Sequence, residues 1–262
     1  MSSESIERIK ETWEGRAKNT RLHGTYVTMT DRNQRGLEID EALRYIPVGQ
    51  RILDVGCGNG YSSAIFAKQA EHIVAIDFSE AMIARATREY GNVPNVTFEV
   101  RDVLAPLPYA AASFGVAVAQ RCLINLASWE NQQRAIENIA RVIRPGGLFV
   151  MQEGSRQGRL ALNQLRQSMG LQAMPDVPFN TDFDEEKLWP FLRRHFEIVD
   201  VRRYGLYDVI ARVVHPLLVA PAEPSYEAKI NDIARKIAGT SDAAGDVSRW
   251  FTAVLRVSSS SA

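Results

Sequence analysis

The chain is poor in cysteine: it has 2 among 262 residues, Cys57 and Cys122. Two cysteines cannot build a disulfide framework in a chain of this size, so a reducing compartment is expected. It also lacks net charge, because 31 Lys+Arg cancel 31 Asp+Glu. A general binder of nucleic acid or of a membrane surface needs a basic excess, so neither partner is expected. No stretch approaches the ~20 consecutive apolar residues that span a bilayer. Met1 to Ile6 is polar and acidic, not basic and then apolar, so no secretory signal is expected and the location read is cytoplasmic. No group of His, Cys, Asp and Glu has metal-ligand spacing, so no metal is expected. What is there, 45% hydrophobic and 24% charged residues, is the composition of a globular domain with room for a cap.

The informative stretch is Leu53-Asp54-Val55-Gly56-Cys57-Gly58-Asn59-Gly60. An apolar run leads into a carboxylate and then into three alternating glycines. A second run, Ile73 to Ile76, ends in Asp77, 17 residues past Gly60. Strand, glycine turn, helix and acid-tipped strand form one half of a nucleotide-binding βαβ unit. The third glycine of a dinucleotide fingerprint would fall at Tyr61, and no basic residue lies between Arg51 and Lys68 to meet a pyrophosphate. With Asp54 beside the loop, a ligand with a cationic amino-acid portion fits better than one with two phosphates. Asp77, at a strand tip, can accept from both ribose hydroxyls.

Leu53 to Gly60 resembles motif I of the class I S-adenosylmethionine-dependent methyltransferases, and Asp77-Phe78-Ser79-Glu80-Ala81-Met82 resembles their second motif. Arg101-Asp102-Val103 falls where that family has Gly-Asp, and Arg144 to Val150 is similar to the turn and strand after its fourth helix. Phe114-Gly115 departs from the family's Phe-Asp. The resemblance spans roughly residues 40 to 213. It implies S-adenosylmethionine as cofactor, S-adenosylhomocysteine as product, and a role for each matching residue. Asp54, Gly56, Gly58 and Gly60 would line the methionine side, with Cys57 a small residue that fits the turn. Asp77 would take the ribose, and Phe78 and Met82 would flank the adenine. Asp102 would accept from the adenine amino group, Val103 would offer its backbone N–H, and Gln120 would lie beneath the sulfonium. The chain has no Asn-Pro-Pro-Tyr-type or Pro-Cys sequence, which in this family would point to nucleic-acid bases.

The order of elements implies an α/β fold: a doubly wound, mostly parallel seven-stranded sheet with an antiparallel last strand. Residues 1–46 are expected to form an N-terminal helical lid, and 47–215 the cofactor-binding core. An insert at 154–190 would cap the core after the fifth strand, and 216–262 would be a helical extension. The runs His195 to Arg203 and Tyr207 to Val213, separated by a short gap at Gly205, read as an antiparallel pair that closes the sheet.

Methyl transfer from a sulfonium is an in-line displacement in which alignment matters most. A protonated acceptor such as a sugar hydroxyl needs a base, whereas a carboxylate, phosphate or phosphonate needs cations to hold it. Arg16 to Arg35 holds five basic residues against Asp31, and Arg141 to Gly170 holds five against Glu153. Both favour an anionic acceptor, although solvated faces or internal pairs would look the same. Arg16, Arg21, Tyr26, Arg121, Arg156, Arg159 and Tyr204 are therefore candidates for the acceptor site. Arg121, directly after the fourth strand, either orients the cofactor carboxylate or the acceptor, or pairs with a nearby acid. Asn125 reads as a helix cap. Glu153 is the best-placed carboxylate for a general base, with His23 in reserve. The expected activity is methyl transfer to an oxygen of a small anionic or sugar-like metabolite, by a monomer or homodimer. An N-methyltransferase, a macromolecule-modifying enzyme and a non-catalytic cofactor-binding subunit remain as alternatives.

Overall fold

The computed structural model describes residues 3–258. Its sheet runs β1 (Arg51–Val55), β2 (His72–Asp77), β3 (Val96–Val100), β4 (Phe114–Gln120), β5 (Ile143–Gly154), β6 (Phe196–Arg203) and β7 (Trp250–Val257). The spatial order is β3-β2-β1-β4-β5-β7-β6, parallel except that β7 runs against both neighbours. The chain starts at β1, winds outward to β3, then returns to β4 on the other side of β1. The carboxyl ends of β1 and β4 therefore diverge at the point where the connections change direction, which opens a crevice there.

Alternation along the central strands fills both faces. Leu53, Val55, Ala117 and Ala119 point to a core built with α5 (Trp129–Val142) and α7 (Glu185–His195). Ile52, Val116 and Val118 point to the opposite core, with Ile39, Ala42 and Ile46 of α2 (Arg32–Tyr45) or just past it, and Phe66 of α3 (Tyr61–Phe66). Ser79 caps α4 (Glu80–Tyr90) by accepting from the Met82 N–H at 3.1 Å. The residues expected to form a lid comprise α1 (Ser3–Lys18), which packs on α4, a short turn at Gly24–Val27, and α2.

Two expectations change. The segment Tyr207 to Val213 is helical, not a strand. It lies in α8 (Gly205–Val209) and a π turn at Ile210–Val214, which α9 (His215–Val219) continues. Tyr204, Tyr207 and Ala211, at spacings of three and four, pack on Leu37, Ala234 and Trp250, and this tertiary face overrides the β-branched composition. The partner of β6 is instead β7, so 216–262 is not wholly helical: after α10 (Lys229–Ala238) it supplies the strand inserted between β5 and β6. The low-complexity tail beyond Ser258 lies outside the described residues. The segment 154–190 comprises α6 (Arg156–Ser168), a loop and the first turns of α7.

Candidate active site

A cavity of about 430 Å³ opens over the carboxyl ends of β1, β2 and β4, within the size range of small-molecule sites. Its floor is the glycine turn. Gly56, Gly58 and Gly60 have φ of 72°, 55° and 79°, a region that L side chains avoid. A Cβ at Gly56 would stand 2.4 Å from Cys122 Sγ, so β4's exit packs directly on bare main chain. The turn is pinned to β2, since the Gly56 and Cys57 N–H groups donate to the Ile76 carbonyl at 2.8 and 3.0 Å.

Two buried carboxylates flank this turn. Asp54 accepts from Ser63 Oγ at 2.6 Å, and Asp77 accepts from the Gly58 and Ser79 N–H groups, both at 2.9 Å. Burial pushes Asp54 up to about 6 against the pull of Ser63. Burial likewise pushes Asp77 up to about 6 against its backbone donors. Beside Asp77, the side chains of Phe78, Met82 and Val103 line the cavity. Exposed Asp102 also lines it and accepts from the Leu104 N–H at 2.9 Å. Gln120 donates to Gln152 at 2.6 Å and accepts from Arg35 at 3.4 Å. Bare glycine backbone, two acids suited to a cation and to ribose hydroxyls, and an apolar slot fit an adenosine joined to a charged amino-acid sulfonium.

The roof comes from three segments that are distant in sequence. Trp13 of α1 donates to Asn125 at 3.1 Å, and Asn125 donates to Asn180 of the loop after α6 at 3.0 Å. The Trp13 and Phe179 rings meet edge to face at 5.7 Å. Asn125 thus ties the roof together, which the capping interpretation did not foresee. Ser128 caps α5 instead. Arg16 also lines the cavity, with its guanidinium donating to the carbonyls of Val27 and Tyr26 at 2.7 and 2.8 Å.

The far end of the cavity is lined by ion-paired arginines and comes largely from residues that sequence reasoning missed. Arg35 of α2 pairs with Glu38 at 3.1 Å. Arg212 reaches in from the π turn, pairs with Asp31 and lies over the Tyr226 ring at 4.9 Å. Arg249, just before β7, pairs with Asp208 at 2.9 Å. Burial acts to raise Asp31, but Arg212, Tyr207 and the Gln34 N–H outweigh it and hold the group below the ordinary carboxylate range. The only hint in the sequence was the basic excess around Arg35. Arg212, Tyr226 and Arg249 lie in the β6–β7 connection, which was read as strand and extension.

Several candidates lie elsewhere. Glu153 is fully buried under β4's exit, and its carboxylate accepts from the N–H groups of Cys122, Leu123 and Ile124 at 3.1, 2.9 and 3.2 Å. It does not line the cavity, so the geometry makes it a brace for that turn and not a base. Burial pushes it up to about 8, against those donors and Arg121. His23 sits in a shallow depression on the outer face of α1 and α4. Arg21 is exposed. Tyr26 donates to Glu227, and Arg156 and Arg159 pair with Asp184 and with Asp176 and Asp182. Tyr204 is buried, stacked on Trp250 at 3.9 Å and bonded to Thr252. None of these six lines the cavity. Arg121 does line it.

Comparison with known proteins agrees with this geometry. Residues 52–147 match a family model described as a methyltransferase domain. An O-methyltransferase of Aspergillus nomiae is 38% identical over 126 residues, covering 47% of this chain and 53% of the relative. A demethylmenaquinone methyltransferase of Clavibacter sepedonicus is 35% identical over 107 residues, 41% of this chain and 42% of the relative. The chain thus spans about half the length of the curated relatives it matches. The fold matches the putative methyltransferase solved in complex with the Trm112 activator of Haloferax volcanii. That match has a TM-score of 0.65 at 16% identity and covers 94% of this chain and 97% of that one. Residues 52–147, with the glycine turn and the strand order around them, thus carry the features of a class I S-adenosylmethionine-dependent methyltransferase domain.

Proposed function

We propose that the protein transfers the methyl group of S-adenosylmethionine to an oxygen of a small-molecule acceptor bound under its own lid. The observation that carries this reading is the cavity in which the glycine turn and Asp77 share one space with Arg121 and with the ion-paired Arg35, Arg212 and Arg249. Asp54 would meet the amino-acid portion of the cofactor, and Asp77 the ribose. Phe78, Met82 and Val103 would enclose the adenine, and Gln120 would lie beside the sulfur. When bound, the cofactor supplies an electrophilic methyl group on a good leaving group. The protein's share is to align the acceptor and exclude water.

A roof closed by Trp13, Asn125, Phe179 and Asn180 favours a small acceptor over a macromolecule, and the arginines lining the cavity favour an anionic or sugar-like one. The oxygen specificity named for the Aspergillus relative points the same way. A small-molecule role in the cytoplasm, as monomer or homodimer and without nucleic acid or membrane, agrees with the balanced charge. Among the described residues no helix is long and apolar enough to cross a membrane. Calorimetry with S-adenosylhomocysteine tests the reading. Micromolar binding is expected, ~−8 kcal/mol, and Asp77→Ala should remove most of it. Unchanged affinity in that variant refutes the assignment.

A further inference from the structure

Six arginines line the cavity, and five have partners. Arg35 pairs with Glu38, Arg101 with Glu99, Arg212 with Asp31 and Arg249 with Asp208, while Arg16 donates to two carbonyls. Of these six, the Arg121 guanidinium alone has neither a hydrogen bond nor an ion pair with a described residue. Its backbone is unusual as well: φ is 55°, the left-handed region that a non-glycine residue enters at a cost of about 1–2 kcal/mol. The Arg121 N–H is held there by the Gln152 carbonyl at 2.8 Å, one residue past Gln120. Glu38 and Glu153 attract the guanidinium, and Arg35 and Arg249 oppose it. An unpaired, half-buried cation is costly unless a ligand supplies its anion.

The second observation concerns bases. Among the described residues, no His, Glu or Lys lines the cavity. The acids that line it are already engaged: Asp31 by Arg212 and Tyr207, Asp54 by Ser63, Asp77 by two N–H groups, and Asp102 by the Leu104 N–H. Burial drives the Cys57 and Cys122 thiols well above their ordinary range, so they stay protonated. Tyr61 and Tyr226 bring phenol hydroxyls, each a hydrogen-bond donor and acceptor. The remaining wall, with Trp13, Leu104, Ile124, Val177 and Phe179, is apolar.

Resting on the reading above, we propose that the acceptor is a monocarboxylic acid with an apolar body, methylated on its carboxylate to a methyl ester. Arg121 grips one carboxylate oxygen. A lone pair of the other forms the O–CH3 bond as the C–S bond breaks, and that bond's electrons go to sulfur. Carboxylate and sulfonium become neutral ester and thioether, and no proton moves, so no general base is needed. One unpaired cation matches a monoanion better than a phosphate dianion. The product ester carries no charge, so it leaves Arg121 unpaired again and binds more weakly than the acid.

The test uses the full chain saturated with S-adenosylhomocysteine. Benzoate, cinnamate and octanoate are titrated beside their amides. At least one acid should bind tenfold or more tighter than its amide, and Arg121→Met should abolish that difference while leaving thermal stability and S-adenosylhomocysteine affinity unchanged. With S-adenosylmethionine labelled in its methyl group, the acid that binds should yield a product whose label mild alkali releases as methanol. At saturating methyl donor its rate from pH 7 to 9 should lack the tenfold rise per pH unit that removal of an acceptor proton by a base would give, because among the described residues no base lines the cavity. Of the groups around Arg121 (Arg35, Glu38, Glu153, Arg249), Glu153, pushed up to about 8 by burial, gains charge in this range without touching the acceptor. Equal binding of acids and amides, alkali-stable label, or no labelled product from an acid that binds would overturn the proposal. So would loss of S-adenosylhomocysteine affinity in Arg121→Met, which would make the guanidinium the cofactor's own clamp. Failure of the wild-type chain to bind S-adenosylhomocysteine at all would instead sink the methyltransferase reading.

Discussion

Cofactor affinity should fall steeply as the pH drops through 6. Asp54 and Asp77 both titrate near 6, raised by burial from an ordinary value near 4. A shift of about two units corresponds to ~3 kcal/mol per group. The bound ligand presents an ammonium group and ribose hydroxyls, all of which favour the ionised acids. Binding therefore displaces protons, and affinity rises with pH. At pH 5 about one molecule in ten has a given one of these acids ionised. Relative to pH 7.5 the loss is ~10-fold if one acid matters and ~100-fold if both do, or ~1.4 and ~2.7 kcal/mol. S-adenosylhomocysteine is a suitable probe, because its own amino and carboxyl groups keep their charges over this range. Calorimetry in two buffers of different ionisation enthalpy counts the protons released. Asp77→Asn should weaken binding at pH 7.5 and remove about one proton from the count taken at pH 5, where the free protein holds that acid mostly protonated. Folding linkage has the opposite sign: acids raised in the folded state bind more protons folded than unfolded between about pH 4 and 6. These two groups therefore stabilise the free protein as pH falls through 6, and lost affinity cannot be put down to their unfolding the chain. A dissociation constant that stays flat from pH 7.5 to 5, or a proton count unchanged by Asp77→Asn, would refute the placement of these carboxylates against the cofactor.

Four further substitutions separate binding roles from structural ones. Gly56→Ala adds a Cβ 2.4 Å from Cys122 Sγ, whereas Gly146→Ala has a similar φ, 74° against 72°, but nothing within 4 Å. Both should pay the ~1–2 kcal/mol of left-handed strain in a melting curve, but only Gly56→Ala should also weaken S-adenosylhomocysteine binding, by tenfold or more. Glu153→Gln turns an amide toward three N–H donors and should cost ~1–3 kcal/mol of stability, read by denaturant unfolding. A general base would instead lose ~10²–10⁴ in kcat with little change in stability. Tyr204→Phe removes the bond to Thr252 but keeps the ring stacked on Trp250, so about 1 kcal/mol should be lost. The KM for the acceptor should not move, and a rise would restore Tyr204 to the acceptor site.

The cofactor half of the cavity was legible because its chemistry is local. Alternating glycines set a backbone shape within five residues, and the acids at 54 and 77 fall at strand tips, which apolar runs mark clearly. The acceptor half was not legible in the same way. Arg35, Arg212 and Arg249 come from a lid helix, a π turn and the residue before the last strand, and nothing along the chain places them together. The apolar runs at Tyr207 to Val213 and Trp250 to Val257 are equally short and equally β-branched. Only tertiary packing, on α10 for one and between β5 and β6 for the other, makes the first helical and the second a strand.

Charge reasoning from the sequence was limited by one physical fact. Arg156 and Arg159 belong to a basic excess, but an acidic stretch, Asp176 to Asp184, follows in the loop and the start of α7, and it neutralises them. Arg121 belongs to no charged stretch. Its position at the carboxyl end of β4 puts it where the sheet opens, on the cavity wall. A local count of charges finds cations that can meet acids nearby in the chain. The cation left for a ligand is the one that topology isolates from such partners. A position after a central strand was thus more informative about recognition than the two basic clusters, and the carboxylate predicted to serve as base, Glu153, is the group that holds this strand exit in shape.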